Sequence, residues 1–86
     1  MPTISMFFGI LIRMFFDDHL PAHFHAQYGE YKAKISIDTL EIIDGHLPNR
    51  ALGLVLEWAA IHRAELRTDW ELCVSKQQPN KISPLE

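Results

Sequence analysis

Residues 22–37 read Ala-His-Phe-His-Ala-Gln-Tyr-Gly-Glu-Tyr-Lys-Ala-Lys-Ile-Ser-Ile, two alternating runs on either side of Gly29-Glu30. Alternation is the period of a β-strand, and a two-residue spacer with glycine first suits a type II′ hairpin turn. This turn sets Tyr28 opposite Tyr31, His25 opposite Lys34 and His23 opposite Ser36. Phe24, Ala26 and Tyr28 then share one face with Tyr31, Ala33, Ile35 and Ile37, which is the core face. The other face gathers His23, His25, Gln27, Lys32, Lys34 and Ser36. A slip of one residue would exchange the two faces, so the turn carries much of the argument.

The flanking segments extend this plan. Ile4 to Phe16 is strongly apolar and interrupted by Gly9, which predicts either one long bent strand or two short ones meeting near Phe8-Gly9. Ile10, Ile12, Met14 and Phe16 fit the core, leaving Leu11, Arg13 and Phe15 on the histidine face. The run has no preceding basic residue and no small-residue cleavage site, and Arg13 breaks it well short of a bilayer's width. The expectation is a soluble, cytoplasmic chain without a membrane segment. Asp17, Asp18 and Pro21 mark a loop, Asp38-Thr39-Leu40 a second turn, and Glu41 to Asp44 a short last strand.

Pro48 suits a helix start. Leu52, Val55, Leu56, Ala59, Leu66 and Trp70 follow helical spacing, and Leu54, Trp58 and Ile61 form a second apolar stripe suited to a partner. A bend is expected near Ala64 to Thr68. The predicted fold is α+β: a small antiparallel sheet of three to four strands over 3–44, then a long C-terminal helix over 48–76 packed on one face, then a polar tail over 77–86, all in one domain spanning 1–86. At 86 residues the core is modest and a homodimer would support it. An apolar fraction of 48% with 22% charged residues excludes a disordered chain. The single cysteine, Cys73, excludes an intramolecular disulfide and reads as a small core residue.

Three of the five histidines, His19, His23 and His25, lie within seven residues beside Asp17 and Asp18. Imidazole titrates nearest neutral pH and is a common metal ligand. Three readings follow. The histidines are half-exposed strand and turn residues with no further role. Or His19, His23 and His25 hold a divalent metal such as zinc, with Asp18 or water completing the shell; Lys34 beside His25 weighs against a cation. Or the face binds a phosphodiester, with His23 and His25 as acid and base, His19 and Asp18 assisting, and Lys34, Lys32 and Arg13 holding the anion. With a net charge of −3, anion binding must come from such a local patch. Lys34 would lower the pKa of His25 by like-charge repulsion. On this third reading the chain needs no cofactor.

The run Asp18-His19-x-Pro21-x-His23-Phe24-His25-Ala26 is also familiar. Together with Pro2-Thr3-Ile4, Tyr28-Gly29, Leu47-Pro48, Glu57-Trp58, His62-Arg63 and Pro84-Leu85-Glu86, it resembles a small prokaryotic family of unknown function. Members of that family are commonly encoded beside a second small protein, a layout similar to a toxin–antitoxin pair. The resemblance implies a compact domain, a cognate protein partner encoded nearby, and a site built on Asp18, His19, His23 and His25. Leu20 and Leu40 depart from the family pattern, Leu40 where glycine is common, which loosens the expected turn at Asp38. The expected function is an accessory component of a toxin–antitoxin-like module that binds RNA or another anionic partner through the histidine/lysine face, with ribonuclease chemistry open there. The alternatives are a non-enzymatic interaction or regulatory module docking through Leu54, Trp58 and Ile61, and a small metal-binding protein.

Overall fold

The computed structural model describes residues 2–86. Five strands form one antiparallel sheet in sequence order: β1 (Thr3–Phe7), β2 (Ile10–Arg13), β3 (His23–Tyr28), β4 (Tyr31–Ser36) and β5 (Ile42–Gly45). Two helices follow, α1 (Asn49–Ile61) and α2 (Arg63–Val74). The α+β class stands, but the sheet has five strands where three to four were expected, and two helices replace one.

The fifth strand arises at Phe8-Gly9. Both residues are left-handed, with φ of 49° and 79°, so the first apolar run folds back as a tight hairpin of two strands. Phe8 is a poor residue for this conformation, which is why the sequence left the point open. The Gly29-Glu30 turn sets the register expected of it: His23 pairs with Ser36, His25 with Lys34 and Tyr28 with Tyr31. Leu40 adopts a left-handed φ of 59° and donates its N–H to the Ser36 carbonyl, so the turn at Asp38 closes without the glycine.

One face of the sheet forms the core. Ile10, Ile12, Met14, Phe24, Ile35 and Ile37 are fully buried under α1 residues Ala51, Val55, Trp58 and Ala59. Trp58 lies with its ring 5.3 Å from Phe7 and 5.9 Å from Phe24. It is therefore a core residue and not part of a partner surface. Of its expected stripe, Leu54 is half-buried and Ile61 is exposed. Tyr28 and Tyr31, expected in the core, lie at the open end of the sheet and are exposed.

The helical segment breaks at His62, where φ is −110°, earlier than the bend expected from the sequence. The break redirects α2 so that Leu66, Asp69, Trp70 and Cys73 face inward. α2 ends in a Schellman motif: the Gln77 N–H bonds the Leu72 carbonyl and the Lys76 N–H bonds that of Cys73, with Lys76 left-handed at φ 63°. The tail beyond it is not loose. Ile82 is buried and donates its N–H to the Ile4 carbonyl at 2.7 Å; Asn80 N–H bonds Asp69 Oδ1 at 2.8 Å; and the Trp58 indole N–H bonds the Ser83 carbonyl at 2.8 Å. No helix among the described residues is long and apolar enough to cross a membrane.

Candidate functional site

The face of the sheet opposite α1 carries one cross-strand row that contains most of the chemistry. Register pairing sets Thr3, Arg13, His25, Lys34 and Asp44 side by side across β1 to β5. The next row holds Leu11, Gln27 and Lys32. Arg13 donates to Gln27 Oε1 at 3.1 Å, and with Leu11, Phe15, His25 and Lys32 this pair lines a cavity of about 100 Å³. Among the described residues, Arg13, Lys32 and Lys34 make no ion pair, whereas Arg67 pairs with Asp38 and Lys76 with Asp17. The Lys76 pair ties the loop before β3 to the end of α2, and it holds the Asp17 carboxyl below the usual carboxylate range.

At one end of this face, the β2–β3 loop brings Asp18 against the two strand histidines. His25 Nε2 lies 2.8 Å from Asp18 Oδ2 and donates a hydrogen bond to it. His23 Nε2 lies 3.3 Å from the same oxygen but makes no hydrogen bond. The other ring nitrogen of His23 is settled by chemistry. Nδ1 is 2.8 Å from the Pro21 carbonyl, which only accepts, so Nδ1 carries the hydrogen. His23 is 5% exposed and packs between the rings of His25 at 5.1 Å and Trp70 at 5.4 Å. Phe15 meets His25 edge-on at 4.2 Å.

The His25 pKa falls below its ordinary value, first because burial penalises the imidazolium. The Asp18 hydrogen bond and charge oppose that shift, and His23 and Lys34 add to it. The expected Lys34 effect is present, but burial outweighs it. The balance of these effects favours the neutral ring.

His19 stands apart. It is exposed in the loop, and the group of metal-ligating atoms within 4.8 Å of one another is Asp18, His23 and His25, without His19. The sequence reading missed the cover of this corner: Trp70 and the Pro21 carbonyl fix the His23 ring, and neither shows a signal in the sequence. Cys73 is buried, and burial pushes its thiol pKa up, which suits a core residue and not a nucleophile.

A second surface lies at the far end of the sheet. Phe8, Ile10, Tyr28, Pro48, Ala51 and Leu54 line a cleft of about 350 Å³ with Arg50 at its rim.

No curated protein and no solved structure matches this chain. A family model described as Domain of unknown function (DUF4160) matches residues 9–71, a span that takes in the whole β2–β4 face, Asp18, α1 and α2 up to Glu71. The chain belongs to that family.

Proposed function

We propose that this domain binds a phosphate-rich partner, single-stranded RNA, across the face of its sheet opposite α1. The carrying observation is that Arg13, Lys32 and Lys34 stand unpaired on that face in a chain of net charge −3. A local basic patch on an acidic chain concentrates an anion where the global field does not. Arg13 and Lys34 flank His25 in one row, and Lys32 sits in the next beside the Arg13–Gln27 cavity. Phe15 offers an aromatic ring to a base at the same place. Asp18 and Asp44 bound the patch on two sides and confine the anion to its centre.

If the bound strand is cleaved, His25 is the base, and Arg13 with Lys34 stabilises the developing charge. The resemblance supplies the proposed setting of a toxin–antitoxin-like pair with a small cognate protein; the modest core adds a homodimer as the working unit, and the N-terminal run without signal-peptide features adds the cytoplasm. The test is anisotropy of a labelled single-stranded RNA at rising salt. The double variant Arg13→Ala/Lys32→Ala is expected to weaken binding and flatten the salt dependence by roughly 0.7 in log–log slope for each lost phosphate contact. Equal affinity and slope for wild type and variant would overturn the proposal.

One observation favours a second reading. Phe8 is 60% exposed and held in a left-handed conformation at the mouth of the apolar cleft. A strained, exposed aromatic ring beside an apolar cleft fits protein docking, and strain of this kind gathers at binding sites. In that reading Leu54 keeps its expected role and Phe8 takes the place of Trp58 beside it. Replacing Phe8 by Asn would then abolish capture of the cognate protein while leaving RNA binding intact.

A further inference from the structure

We infer that Asp18, His23 and His25 form a binding site for a divalent first-row transition ion of the zinc type, which shares His25 with the anion patch beside it. His23 Nε2 is buried, has no hydrogen-bond partner, and points at the Asp18 carboxylate 3.3 Å away. Because Nδ1 donates to the Pro21 carbonyl, a neutral His23 ring presents a bare lone pair at Nε2. Two electron-rich atoms then face each other in a largely buried corner, an arrangement that a cation bound between them would relieve. A backbone carbonyl on the distal nitrogen is also how metal-binding histidines are usually oriented.

The remaining geometry fits the same ion. His25 Nε2 is 2.8 Å from the same Asp18 oxygen, and the three ligand atoms lie within 4.8 Å of one another. Bonds of about 2.0–2.2 Å to nitrogen and oxygen put tetrahedral ligand atoms roughly 3.3 Å apart. Small side-chain shifts bring the three atoms to that spacing. On binding, the ion takes the place of the proton that His25 shares with Asp18, and the neutral His25 ring carries its hydrogen on Nδ1 instead. Both rings bind as neutral ligands, so the site forms without burying an extra positive charge on imidazole.

Two histidines and one carboxylate complete half of an octahedron or three corners of a tetrahedron, and such sites keep open positions. Space for them exists here. Asp18 also borders a cavity of about 290 Å³ with Phe15, Phe16 and Pro2, and His25 borders the cavity of about 100 Å³ that holds Arg13. A water or an anionic ligand can therefore reach the ion from the side of the basic patch. Trp70 closes the other side against His23.

The test is calorimetric titration of the full chain with Zn²⁺ alone, together with the visible spectrum of the Co²⁺ form. Wild type is expected to bind one ion per chain, with Co²⁺ bands that report nitrogen and oxygen ligands. Asp18→Asn and His25→Gln are expected to weaken binding by at least about 10–100-fold, the loss typical of even an outer-shell defect. His19→Ala is expected to bind as wild type does. His23 is buried against Trp70, so its replacement risks the fold; the partly exposed Asp18 and His25 keep the test decisive. Absence of saturable binding by a folded wild-type chain would overturn the inference. So would a His19→Ala variant as impaired as Asp18→Asn, because the loop histidine would then be a ligand.

Discussion

Trp58→Phe separates a core role from a surface role at one residue. The indole is fully buried between Phe7 and Phe24 and holds the C-terminal tail through its N–H to the Ser83 carbonyl. The phenyl ring keeps most of the apolar packing but has no donor. Loss of a neutral hydrogen bond whose acceptor can turn to water costs about 1 kcal/mol net. The smaller ring leaves a void, and at about 24 cal/mol per Å³ a gap of a few tens of cubic ångströms adds about 1 kcal/mol more. A chain of this size has a total stability of about 4–13 kcal/mol, so the variant still folds. A loss of about 2 kcal/mol lowers Tm by roughly 8–16 °C in a domain this small. Circular dichroism melting reads that shift. Hydrogen exchange at the Ile82 amide, which bonds Ile4, reads release of the tail. A Tm within about 2 °C of wild type, with Ile82 protection unchanged, would refute both the packing and the tether.

Other perturbations report on separate parts of the account. Gly45→Ala places a Cβ 2.2 Å from the Lys32 carbonyl oxygen at φ +87°, and is expected to cost about 2–4 kcal/mol in chemical denaturation through strain and overpacking together. Asp69 is buried with Oδ2 unpartnered, and burial raises its carboxyl pKa, with nearby Glu65 adding to the rise and the Asn80 N–H opposing it. The folded state thus holds this proton more tightly than the unfolded chain, so stability falls as pH rises through the raised pKa. Asp69→Asn keeps an acceptor for Asn80 and removes the charge, and its melting temperature should gain on wild type as pH goes from acid to neutral; a constant difference across that range would contradict the assignment. Induction of the wild-type chain in a bacterial host, in parallel with Arg13→Ala/Lys32→Ala, tests the toxin arm: arrest by wild type alone is the expected outcome if the face acts on cellular RNA.

The sheet face was legible because its information is local. A glycine at the first turn position and strict alternation on both sides fix which residues sit opposite one another, and the pairing of His25 with Lys34 follows directly. The strand count was less legible because Phe8, with its Cβ, takes a conformation that sequence rules reserve for glycine or asparagine. The helix break at His62 carries no glycine or proline; it reflects the tertiary demand that Leu66 and Trp70 face inward. Within the histidine run, alternation separates His23 and His25 from His19, but it cannot reveal that Trp70 buries His23 or that the Pro21 carbonyl fixes its tautomer. Those contacts join residues far apart in sequence or hidden in the backbone. Trp58 misled for a related reason: a helix with two apolar stripes does not state which stripe meets the sheet.

The most direct test of the anion-binding face is a two-dimensional amide NMR titration of the full chain with a short single-stranded RNA. The account predicts shifts concentrated at Arg13, His25, Gln27, Lys32 and Lys34, with the cleft around Phe8 and Leu54 unaffected. Shifts confined to Phe8, Tyr28, Arg50 and Leu54, or none at any RNA concentration, would contradict it.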